Sequence, residues 1–74
     1  MRYLIVIERT STGCSAYSPD LEGCVATGAT RDEVERNKRE AIEFHIDGLE
    51  ADGLEIPPPR SDGVYVEVEA ERWG

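Results

Sequence analysis

Four carboxylates near strand ends, two thiols and one imidazole are the side chains of this sequence whose types could do chemistry. If Glu8, Asp20 and Asp62 converged within coordination distance, they could hold divalent ions, activate water and cleave a phosphodiester. Each also has a plainer expected place. Asp20 follows Pro19, where an Asp commonly hydrogen-bonds its own turn backbone. Glu8 ends a strand, Glu22 follows the turn, and Asp62 precedes Gly63. His45, the one histidine, falls among Ile42 and Leu49 on an apolar helix sector, and a general base would need a positioned partner and access to substrate. Cys14 and Cys24 lack the Cys-x-x-Cys spacing of redox or zinc sites, though their thiols could approach if their strands pair around Pro19. Nucleophile-elbow, phosphate-cradling and dinucleotide motifs are absent from the sequence. The expectation is therefore no catalytic residue, no metal ligand and no cofactor. A metal-dependent nuclease using Glu8, Asp20 and Asp62 is the alternative.

The elements that must position these residues follow from pattern. At 74 residues, the chain is expected to form one domain over 1–74. Met1 to Glu8 reads as a strand with apolar residues on both faces, Tyr3, Ile5 and Ile7 on one and Leu4 and Val6 on the other. Cys14 to Ser18 reads as a second strand, Pro19-Asp20 as a turn, and Cys24 to Thr27 as a third strand closed by Gly28. Thr30 with Glu33 forms a capping box that opens one long helix ending near Gly53. Val34, Ala41, Ile42, Phe44, Ile46 and Leu49 fall in its apolar sector, opposite Arg36, Glu40, Glu43, Asp47 and Glu50. Pro57-Pro58-Pro59 makes a stiff spacer. A last strand is expected with Val64, Val66 and Val68 inward and Tyr65, Glu67 and Glu69 outward, parallel to the first by a right-handed crossover. The fold class is α+β: β-β-β-α-β, a mostly antiparallel sheet with one helix on one face.

Charge and size restrict the function. Sixteen acidic against eight basic residues give a net charge of −8. Phosphate binding relies on clustered Lys and Arg, so direct DNA binding is not expected, whereas a basic protein partner suits this field. No segment approaches the ~20 apolar residues that span a bilayer, and no secretory leader is read at the start, so the chain is expected to be cytoplasmic. One helix covers one face of the sheet, and the exposed second face predicts a homodimer or higher homo-oligomer.

Ser18-Pro19-Asp20-Leu21-Glu22-Gly23-Cys24, Gly28-Ala29-Thr30, Glu40-Ala41-Ile42-Glu43 with Leu49, and Asp52-Gly53 with Ile56-Pro57-Pro58-Pro59 occur in this order across about residues 1–70. Their order and spacing resemble the HicB-like antitoxin family. The resemblance implies a truncated ribonuclease H-like domain without its catalytic carboxylates. It further implies a non-enzymatic module that binds and silences a small basic messenger-RNA-cleaving toxin of the HicA type. The fuller family pattern adds a C-terminal DNA-binding module. Only Arg72-Trp73-Gly74 follow the last expected strand, so promoter binding is not expected of this sequence. Candidate partner-binding residues are Glu40, Glu43 and Asp47 on the acidic helix face, Tyr65 and Glu67 on the last strand, and Trp73 as an anchor.

Overall fold

The computed structural model describes residues 1–69. Three strands and a helix follow one another: β1 (Val6–Arg9), β2 (Cys14–Ser18), β3 (Leu21–Gly28) and α1 (Arg31–Ala51). The strands form one antiparallel sheet in the order β1-β2-β3, which leaves β1 and β3 as its edges. The α+β architecture, an antiparallel sheet with one helix, is as expected, although β1 starts later and β3 starts earlier than the pattern suggested.

The Pro19-Asp20 corner does more than reverse the chain. Tyr17 pairs with Val25 but Ser18 pairs with Leu21, so the register slips within the motif. Gly23, at φ 78°, absorbs the extra length in a conformation that a side chain would strain. The slip lets Leu21 and Cys24 both face the helix, where they are buried with Ala16 and Val34.

Helix α1 opens as its capping residues predict. Thr30 Oγ1 accepts from the Glu33 amide at 3.1 Å, and Glu33 Oε1 accepts from the Ala29 amide at 2.9 Å. The reciprocal bond thus reaches one residue further back than in the standard capping box. Thr30→Ala should lower stability by about 1 kcal/mol, measured by thermal or urea unfolding. The helix packs mainly against β3. Asn37 Nδ2 donates to the Thr27 carbonyl at 2.9 Å, and Lys38 Nζ donates to the Cys24 carbonyl.

One helix position differs from the expected pattern, Phe44, and one that the pattern did not place, Lys38, is part of the core. Lys38 is fully buried while Phe44 is 82% exposed. Counting 100° per residue from Val34, Lys38 lies about 40° away, inside the contact stripe, and Phe44 lies about 80° away on the other side, at its rim. Geometry overrides side-chain polarity at both positions.

The expected fourth strand is not formed among the described residues. The stretch after α1 carries no strand pairing, and Val64, Val66 and Val68 point to solvent. A single extended run gains no ladder without a neighbour alongside it. On the sheet face away from the helix, Tyr17 and Val25 are 42% and 63% exposed, the uncovered surface that the single helix predicts.

Candidate functional site

The three carboxylates proposed as metal ligands are not brought together. Glu8 sits opposite Ser15, toward the Arg9 end of the β1–β2 ladder, whereas Asp20 follows Ser18 at the other end. Among the described residues no group of three His, Cys, Asp or Glu side chains is arranged to hold a metal ion. The nuclease geometry therefore lacks its ligand set there.

Asp20 has a different task. Its Oδ2 accepts from the backbone amides of Arg60 and Ser61, each at 3.0 Å, and its Oδ1 accepts from the Ser61 hydroxyl at 2.9 Å. The turn side chain thus grips the chain forty residues downstream rather than its own backbone, which corrects the local role expected for it. The Ser61 amide foremost, then that of Arg60, holds this carboxyl below the ordinary carboxylate range. Because the folded state binds the proton more weakly, the resulting stabilisation is present above the unfolded value of about 3.9 and is lost as pH falls through the lower folded value. Acid titration followed at the Ser61 amide by NMR should show the clamp opening only below the ordinary carboxylate range. Asp20→Asn should abolish that pH dependence and loosen residues 60–61 already at neutral pH.

A second tie reinforces this one. The Tyr3 hydroxyl donates to the Pro57 carbonyl, so the triple proline is pinned as a spacer between helix and sheet. Ser18 Oγ donates to the Leu4 carbonyl at 2.8 Å and fixes the residues before β1 against β2.

Cys14 and Cys24 are both free. Their strands do pair around Pro19, but Cys14 lies opposite Gly28, four residues beyond Cys24. At about 3.3 Å per residue the offset is about 13 Å. A disulfide tolerates a Cα separation of no more than about 7 Å. His45 is half-buried and lines a shallow groove with Cys24, Val25, Phe44 and Leu49.

The partner-binding candidates are accessible where they are described. Glu40, Glu43 and Asp47 are exposed on one side of α1, spaced so that they stack along the helix, and Glu50 extends the row. Tyr65 and Glu67 are exposed, Tyr65 completely, whereas Trp73 lies outside the described residues. The arrangement offers a negatively charged helical ridge with no counter-charge in line except Arg36 and Arg39. Sequence reasoning placed Phe44 in the apolar sector and gave Lys38 no place, although helical angle, taken without regard to polarity, puts Lys38 inside the contact stripe and Phe44 at its rim. No described helix is long and apolar enough to cross a membrane.

Comparison with known proteins gives a consistent result. Residues 3–71 match the family described as HicB-like antitoxin of a bacterial toxin–antitoxin system. An uncharacterised 14.9 kDa protein of Haemophilus phage HP1 is 42% identical over 66 residues, which is 89% of this chain and 50% of that protein. A UPF0150 protein of Helicobacter pylori (strain J99) is 47% identical over 49 residues, 66% of this chain and 68% of that protein. This chain thus spans half the length of its phage relative. A chain of the HicA3 and HicB3 toxin–antitoxin complex superposes with a TM-score of 0.70 at 37% identity, covering 80% of this chain and 70% of that one. The crystal structure of antitoxin HicB3 superposes with a TM-score of 0.68 at 37% identity, covering 81% and 44%.

Proposed function

The chain belongs to the HicB-like antitoxin family, and from that premise we propose that it neutralises a small basic messenger-RNA-cleaving toxin of the HicA type by binding it directly. The solved HicA3–HicB3 complex supports this choice of partner. The mode would be stoichiometric occlusion without turnover, with the antitoxin blocking the access of RNA to the toxin.

The observation that carries the proposal is the exposed carboxylate row Glu40, Glu43 and Asp47, on a chain of net charge −8. A ridge of one sign attracts a basic surface, raises the encounter rate and rejects acidic partners. The same sign disfavours phosphate backbones, so this domain is assigned to protein rather than direct DNA recognition. Tyr65 and Glu67 extend the candidate surface beyond the helix.

Binding of the purified chain to the small basic protein encoded beside it, measured by calorimetry at two salt concentrations, tests the reading. Nanomolar to micromolar affinity that weakens with salt, together with loss of toxin ribonuclease activity at a one-to-one ratio, is the expected result. Charge reversal at Glu40, Glu43 and Asp47 together should slow association by at least tenfold, with little change in the helix signal. Absence of binding, or binding without inhibition, would remove the antitoxin role.

A further inference from the structure

Among the residues of α1, Phe44 is the one large apolar side chain left in the open, at 82% exposure. A lone exposed apolar side chain is ordinary, but Phe44 has apolar company. It stands at the edge of a groove between α1 and β3, where Val25 is 63% exposed and Leu49 is half-buried. An aromatic ring in such a place offers a large apolar area that little side-chain entropy opposes.

Carboxylates surround this apolar floor. Asp52 lines it, Glu22 is exposed beside Gly23 at its β3 rim, and Glu40 and Asp47 lie one turn before and one turn after Phe44 on the helix surface. Among the described residues no Lys or Arg lines the groove, and Lys38 is buried with its Nζ on the Cys24 carbonyl.

Two other occupants fit this surface poorly. The chain's own connection after α1 is tied to Tyr3 and Asp20, and its Gly63 lies against Leu4, which leads into β1, the edge of the sheet opposite β3. A second copy seated face to face would set Glu40, Asp47 and Asp52 against their own equivalents, and like charges across an interface repel.

We propose that this groove receives an apolar side chain of a basic protein partner, packed against the Phe44 ring, while Lys or Arg residues around it meet Glu40, Asp47 and Asp52. The inference rests on the reading of this chain as the binder of a basic protein, and it divides the labour on the binding surface. The carboxylates steer the encounter and set the association rate, whereas the desolvated ring holds the complex and sets its lifetime.

Binding kinetics with the small basic protein encoded beside this chain test that division. Phe44→Ala should raise the dissociation rate by about tenfold or more and leave the association rate within about twofold. Glu40→Lys combined with Asp47→Lys should do the opposite, slowing association with little change in dissociation. All three side chains are exposed, so both variants should keep the far-UV helix signal of the parent. In the unsubstituted chain the amides of Val25, Phe44 and Leu49 should shift in NMR spectra when the basic protein is added, which reads the site without any substitution. If Phe44→Ala loses its helix, those shifts decide alone. An unchanged dissociation rate in a folded Phe44→Ala, or binding that leaves those amides unmoved, overturns this inference and leaves the proposed function standing. Absence of any binding by the unsubstituted chain overturns both.

Discussion

Gly28→Ala should destabilise the fold by about 3 kcal/mol, at the upper end of what overpacking costs. Gly28 closes β3 where the sheet meets the first turn of α1. A Cβ there would lie 2.7 Å from the Val34 amide nitrogen, 2.9 Å from Val34 Cα and 3.1 Å from the Glu33 carbonyl carbon. All three are backbone atoms, and the turn that carries them is fixed by the Thr30 and Glu33 caps. No flexible side chain is available to move aside, so the strand and helix must separate. A domain of this size holds about 4–11 kcal/mol in total, so the loss would consume a large part of it. Gly48→Ala is the control of opposite sign. Its Cβ would meet nothing within 4 Å. The substitution should stabilise the helix by roughly 1 kcal/mol. Urea unfolding of both variants checks the pair, and a cost below 1 kcal/mol at Gly28 would contradict the close approach.

Lys38→Met should raise stability by about 1–2 kcal/mol, the less intuitive of the two large effects. Lys38 is fully buried, and its Nζ donates to the Cys24 carbonyl. An ammonium removed from water loses several kcal/mol of solvation, and a neutral carbonyl returns only part of it. Methionine fills a similar volume and carries no charge, so the removed desolvation penalty outweighs an unpaired carbonyl costing about 1–3 kcal/mol. Lys38→Glu should do the reverse. It would aim a carboxylate at a carbonyl oxygen in the same buried place and cost more than about 4 kcal/mol. Thermal unfolding of the two variants separates volume from charge. A Met variant less stable than the parent would show that the ammonium–carbonyl bond outweighs desolvation.

Lys38 also marks what the sequence leaves hidden. The helix was legible from Thr30 to Gly53 because caps and apolar spacing act within a few residues of each other. The apolar sector, however, took in Phe44 and left Lys38 without a place, whereas the contact stripe against β3 buries Lys38 and leaves Phe44 at its rim. The Pro19 corner was legible as a corner, and Gly23 as part of it. The partners of Asp20 were not, because Arg60 and Ser61 lie forty residues on and no local pattern encodes that meeting. The valines at 64, 66 and 68 have the alternation of a strand, yet no strand is formed there among the described residues. A pattern specifies a face, but it does not supply the neighbouring edge that a ladder requires. The acidic ridge on α1 was legible in full, since exposure of a charged helix face follows from the burial of its opposite side.

The clamp at Asp20 has a consequence for the order in which the molecule assembles. The three strands are joined by short turns, and the helix forms from local bonds, so these parts can organise before distant segments meet. Bonds from residue 20 to residues 60 and 61, and from Tyr3 to Pro57, close long loops of 40, 41 and 54 residues' separation. Closing them costs chain entropy that only an already formed sheet can offset. The connection after α1 should therefore dock last, behind the folding barrier. Asp20→Asn is then expected to accelerate unfolding while leaving the refolding rate nearly unchanged in stopped-flow kinetics. The corner that reads as a family signature would thus act as a latch on the lifetime of the folded state.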